Sequence, residues 1–116
     1  MAVGCGPPPP SKAEPMEREQ FRRIAKALAD PRRFEIFELI AGKGEVGCQH
    51  LCGVFPVSQA TVSHHLKELS TAGLVTPRRE GQFVYCMAHP EVVAAYVSEL
   101  KRRLHVDAPA ARARSR

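Results

Sequence analysis

Residues 57–73, VSQATVSHHLKELSTAG, read as a helix with marked ends and two unlike faces. Ser58 suits the N-cap, where its hydroxyl accepts a hydrogen bond from a first-turn amide that has no helical partner. Gly73 stands just past the far end, where a left-handed backbone is common and glycine adopts it without steric cost. Val62, Leu66 and Leu69 recur at helical spacing and form one apolar stripe, while Gln59, Thr61, Ser63, His64 and Lys67 point elsewhere. That polar side is uncharged near its start and rich in groups that both donate and accept. Such groups match base edges in a major groove, although an ordinary solvated helix carries the same stripe, so the flanking segments decide.

Upstream, EVGCQHLCGVF at 45–55 predicts a helix ended by Pro56. Only Pro56 and Val57 then precede the cap at Ser58, a link short enough to force a steep crossing of two helices, a helix-turn-helix. Downstream, 74–80 and 82–88 predict two strands joined at Glu80-Gly81, with Phe83, Tyr85 and Met87 alternating with Val84 and Cys86. Arg78 and Arg79 before the hairpin tip and Gln82 after it suit a wing that reaches phosphates or a minor groove. A first helix is expected over about 16–29, with Phe21, Ile24, Ala25 and Leu28 on one face. Asp30-Pro31 starts a second through RRFEIFELIAG, with Asp30 capping, Pro31 in the first turn and Gly42 as the stop. A last helix opens at His89-Pro90 and runs to Leu104, with Val93, Tyr96, Val97, Leu100 and Leu104 along a stripe.

The expected fold is therefore mainly α with a β-hairpin wing: a winged helix-turn-helix of five helices and two strands over residues 16–105. The first and last helices keep apolar faces that the reading unit does not need, so a homodimer through them is expected. A twofold dimer sets its recognition helices about 34 Å apart, one duplex turn. Residues 1–15, with five of the ten prolines, read as a disordered arm, and 106–116, with Arg112, Arg114 and Arg116, as a disordered basic tail.

Lysine and arginine number 17 against 12 acids, a formal charge of +5 that favours phosphate-rich partners such as double-stranded DNA. No apolar run approaches the roughly 18 residues of a membrane span, and the start lacks a signal-peptide pattern. A cytoplasmic protein is expected, with Cys5, Cys48, Cys52 and Cys86 as reduced thiols. Neither a nucleophile–base pairing nor a phosphate-cradling glycine loop appears, so an enzyme is not expected.

ADPRRFEIFELI, VSQATVSHHLKELSTAGLV and RREGQFVYCM together resemble the ArsR/SmtB family of metal- and metalloid-responsive bacterial repressors. The resemblance covers about 16–105. It implies a dimeric winged-helix repressor that sits on a palindromic operator and leaves it when an inducer binds. It also implies DNA contacts from Ser58, Gln59, Thr61, Ser63, His64 and Lys67 and from the wing residues Arg78, Arg79 and Gln82. Arsenic-responsive members carry an ELCVCDLC-like motif in the helix before the recognition helix. Here EVGCQHLC occupies 45–52, so the first two cysteines of that motif fall on Gly47 and Gln49, and only Cys52 matches directly. The D-x-H pair of zinc-responsive members has no counterpart in HPEVVAAY.

The residues themselves still offer a site. Cys48 and Cys52 are four apart on a helix, which places their Cβ atoms roughly 5–6 Å apart on one face. That is long for a disulfide, which needs roughly 3.5–4.5 Å, but a soft ion between the sulfurs spans it. Trivalent arsenic or antimony prefers three thiolates, and Cys5 is the third candidate. The effector expected is arsenite or antimonite, with no resident cofactor required. Alternatives are zinc or cadmium, thiol oxidation, or no inducer. Against a site, Cys48 and Cys52 share their face with Leu51 and Phe55, and cysteine is often simply buried as a small hydrophobe. His50 lies off that face, and Cys86, among aromatic residues, reads as structural.

Overall fold

The computed structural model describes residues 16–106. The expected arm, including Cys5, and all but the first residue of the expected tail lie outside the described residues. The elements run α1 (Arg18–Ala29), α2 (Pro31–Lys43), β1 (Glu45–Gly47), α3 (Cys48–Val54), α4 (Gln59–Thr71), β2 (Val75–Glu80), β3 (Phe83–Ala88) and α5 (Pro90–Arg103).

Local chemistry explains most of these limits. The Asp30 side chain accepts from the Arg33 amide and Pro31 occupies the first turn, so α2 starts where its sequence signals it. It ends later than expected: Gly42 is passed through, and Gly44, at φ 88°, closes the helix with its amide on the Ile40 carbonyl. Ser58 accepts from the Thr61 amide at 3.1 Å and so caps α4. At the other end Gly73, at φ 86°, donates to Ser70 and the Leu74 amide donates to Leu69. Those two bonds form a Schellman closure, which requires the left-handed residue that glycine supplies.

The core gathers Ile24 from α1, Ile36, Phe37 and Ile40 from α2, Leu51 from α3, and Val62, Leu66 and Leu69 from α4. Leu74 and Val75 close it from the wing side. Phe34 stands exposed, off the side of α2 that buries Ile36, Phe37 and Ile40.

One expectation needs correction. The sheet has three strands, not two, in the order β1-β3-β2, all antiparallel. Glu45–Gly47 pairs with Met87–Tyr85 of β3 instead of starting a helix, so α3 begins only at Cys48. The cause is tertiary: Val46 buries its branched side chain opposite Cys86, and Glu45 holds Arg78 across the sheet at 2.8 Å. Gly47 passes against the Tyr85 ring, where a Cβ would lie 3.3 Å from Cε1.

Helix α5 turns a different side inward from its apolar stripe. Its buried side is Val92, Ala95 and Glu99, whereas Val97 and Leu104 are 42% and 59% exposed. Glu99 is 4% exposed and is held by Arg102 and by Arg103, whose guanidinium also stacks 4.3 Å over the Phe21 ring. Phe21 in turn meets Tyr96 at 5.1 Å between ring centroids, fastening α5 to α1. The Arg102 guanidinium, with Arg103 beside it, brings the Glu99 carboxyl down to about 2 from an ordinary 4.5. The unfolded chain therefore takes up this proton first. The stabilisation is complete above about pH 4.5 and is lost as pH falls through about 2. The melting temperature is expected to fall more steeply between those limits in the wild type than in Glu99→Gln; parallel curves would contradict this.

Candidate nucleic-acid interface and thiol cluster

Helix α4 presents Gln59, Ser63, His64 and Lys67 to solvent. Ser58 and Thr61 are less free: the Ser58 hydroxyl caps the helix and donates to Thr61 Oγ1 at 3.0 Å. These two order the first turn, and Gln59, Ser63, His64 and Lys67 keep open polar groups along one face. His65 lies on the buried side of α4. Its Nδ1 accepts from Arg33 Nε at 3.3 Å, which ties α4 to the start of α2. Burial lowers its pKa, consistent with a neutral ring that accepts at Nδ1.

In the wing the two arginines part. Arg78 pairs with Glu45 and Glu80, each at 2.8 Å, and lies 4.9 Å over the Tyr85 ring. Its charge is locally answered. Arg79 is exposed and forms no ion pair among the described residues. Gln82 is exposed beside Gly81 at the tip. The structure thus brings α4 and the hairpin to one molecule as expected but makes Arg79 the open cation.

The thiols lie one element upstream. Cys48 opens α3 and Cys52 follows a turn later; both are half-buried free thiols, and the Cys52 charge bears on Cys48. Cys86 on β3 is 1% exposed. Burial pushes the Cys48 thiol up and carries Cys86 to about 12, with Cys48 and Glu45 adding to it. His50 is exposed, as expected. Among the described residues no three cysteine, histidine or acidic side chains already converge as a metal site. Sequence reasoning missed that Cys86 lies opposite Val46, two residues before Cys48, because that pairing depends on β1, a strand too short to carry a periodic signal.

No described helix is long and apolar enough to cross a membrane. A family profile described as a helix-turn-helix domain matches residues 28–78. The arsenic resistance transcriptional regulator ArsR1 of Pseudomonas putida is 42% identical over 69 residues, which are 60% of this chain and 54% of that protein. The chain thus spans about half the length of that relative. The arsenical resistance operon repressor of Bacillus subtilis is 36% identical over 80 residues, 69% of this chain and 76% of that protein. Among solved structures, the homodimeric winged helix-turn-helix DNA-binding domain of Mb0332 from Mycobacterium bovis, a possible ArsR-family regulator, superposes with a TM-score of 0.59. It is 33% identical and covers 75% of this chain and 79% of its own. With helices, helix-turn-helix and wing in the same order and this identity across most of a repressor's length, the chain belongs to the ArsR family of winged helix-turn-helix transcriptional regulators.

Proposed function

We propose that the protein is a dimeric repressor that reads a palindromic operator through α4 and the wing and leaves it when arsenite or antimonite binds the thiols of Cys48 and Cys52. The carrying observation is the position of these thiols: they are free, half-buried and on the helix that runs through Phe55, Pro56 and Val57 into the cap of α4. The names of the Pseudomonas and Bacillus relatives support a metalloid inducer. The sequence also offers Cys5 as a donor, outside the described residues. Fluorescence anisotropy of a labelled operator, with arsenite titrated into the bound protein, tests the reading. Loss of binding is expected, and an unchanged isotherm rules the metalloid out. Zinc, cadmium and peroxide run in parallel separate the other inducers. Thiol oxidation is the second reading: a disulfide formed under mild peroxide, with no effect of arsenite, would favour it.

Dimerisation is supported by the stripe Val93, Val97, Leu100 and Leu104 on α5, which one copy leaves partly or largely exposed. Val97→Glu is expected to give a monomer in sedimentation velocity while the fold, read by circular dichroism, persists. A dimer of unchanged strength places the interface elsewhere. On DNA, Gln59→Ala should lose about 1–3 kcal/mol of discrimination at one base pair. Arg79→Ala should weaken all sequences alike and lower the salt slope by about 1, more than Arg78→Ala does, because Arg78 is already paired. Equal slopes for both variants would remove that distinction.

A further inference from the structure

We infer that Arg33 and His65 are positioning residues for DNA reading: their hydrogen bond sets the pitch of α4, and it holds only while the His65 ring is uncharged. The inference rests on the reading of DNA through α4 and adds a proton as a second input to that helix.

The Arg33 side chain joins three helices. It stands in the first turn of α2, where its backbone amide donates to Asp30 Oδ1 at 3.0 Å. Its Nη1 donates at 3.3 Å to the carbonyl of Ala27, one of the last carbonyls of α1, which the helix itself leaves without a partner. Its Nε donates at 3.3 Å to His65 Nδ1. His65 places a polar ring among the buried residues Val62, Leu66 and Leu69, and a buried polar group costs stability unless it is bonded. Arg33 supplies that bond. His65 follows Thr61 by one turn and adjoins His64 on the open face, so a shift of α4 at His65 is carried to Gln59, Ser63 and His64.

The bond has one charge state. Nδ1 accepts, so the ring proton sits on Nε2 and the ring is neutral. The guanidinium is always charged and offers donors only. A proton added at Nδ1 turns the acceptor into a donor and sets two cations face to face. The charged groups that bear on the ring are Asp30, Arg33 and Arg32 at the start of α2 and His64 on α4. Helix α1 offers the uncharged Ala27 carbonyl, and no group of α3 or β2 is among them. Burial first, then Arg33, His64 and Arg32, disfavour the charged ring and hold it below the ordinary 6.5, while Asp30 favours it. Asp30 is therefore the group to which a protonated ring turns, and that turn frees Arg33 and loosens α4 from α2. The joint is intact above 6.5 and opens as pH falls through the lower value of the folded ring.

The test uses the full chain with a duplex that it enriches from a random library at neutral pH and a scrambled duplex of the same composition. Anisotropy gives an affinity for each, and their ratio cancels the sequence-independent pull of the phosphates. In the wild type the ratio is expected to fall about 10-fold from about pH 7.5 to about pH 5.5, the scale of a lost hydrogen bond to a charged group. His65→Gln, whose amide oxygen accepts from Arg33 at any pH, is expected to keep most of the ratio and hold it flat. Arg33→Gln is expected to start about 10-fold low and to change little with pH. His64 is present in all three, so its own contribution is common to them. A wild-type ratio indifferent to pH, or a His65→Gln curve parallel to that of the wild type, overturns the inference and leaves DNA reading standing. Should His65→Gln fail to fold, nitrogen NMR of the wild type without DNA decides: the Arg33 Nε–H resonance is expected to shift as His65 takes up its proton, and a resonance that ignores that proton overturns the inference as well. A library from which no duplex is enriched removes the DNA reading and the inference together.

Discussion

Arsenite is expected to weaken operator binding by about four orders of magnitude, and Cys48→Ser or Cys52→Ser to abolish that response. Turning a 99:1 population of bound protein into its reverse requires the ligand to prefer the released form by about 5.5 kcal/mol. Coordination by several thiolates is strong enough to supply this, whereas a surface ion pair, worth about 0–1 kcal/mol, is not. Thiols are therefore needed at a point mechanically joined to α4, which is where Cys48 and Cys52 stand. Neither residue lies on the exposed face of α4, so without arsenite the serine variants should bind operator within about 0.5 kcal/mol of wild type. Linkage adds a reciprocal requirement: operator DNA must weaken arsenite binding by the same factor. Anisotropy titrations in both directions measure it, and serine variants that still release DNA would place the sensor elsewhere.

Leu51→Ala is expected to lower the melting temperature by about 8–40 °C. Leu51 is 0% exposed and is the buried residue of α3, a helix of seven residues. A helix that short has no stability of its own in water, so tertiary contact must hold it. Truncating a buried leucine costs about 2–5 kcal/mol, since it removes apolar contact and leaves a cavity. In a domain of this size each kcal/mol moves the melting point by about 4–8 °C. A whole domain has only about 5–15 kcal/mol to lose, so the upper end of that range approaches unfolding. Val54→Ala, three residues on at a largely exposed position, serves as the control and should shift stability by less than about 0.5 kcal/mol. Thermal circular dichroism distinguishes them, and equal melting points would mean that α3 is not held through Leu51.

The recognition helix was the most legible element. Ser58 and Gly73 mark its ends by short-range hydrogen bonding that depends on few neighbours, and Val62, Leu66 and Leu69 mark its inner face. The start of α2 was legible for the same reason, through Asp30 and Pro31. Elements of weak or absent period were not. β1 has three residues, and nothing in Glu45-Val46-Gly47 outweighs the helical look of residues 48–55. Gly42 was expected to stop α2, but the stop is Gly44, whose amide returns to Ile40.

The candidate site divides along the same line. That Gln59, Ser63, His64 and Lys67 face outward, and that Cys48 and Cys52 share a face, come from helical periodicity and were readable in the chain alone. The split between a paired Arg78 and an open Arg79 was not, because Glu45 is 33 residues away and reaches Arg78 only across the sheet. Nor was the burial of Glu99 in a stripe that otherwise looks apolar, since it needs Arg102, Arg103 and the packing of α5 on α1. By itself the sequence determined the order of the helices, the hairpin and the outward polar face of α4, because caps, turns and periodicity are interactions between near neighbours. Only the tertiary structure decided that Cys86 lies opposite Val46, because that pairing depends on a register between segments some forty residues apart, and register is set by what the whole core buries.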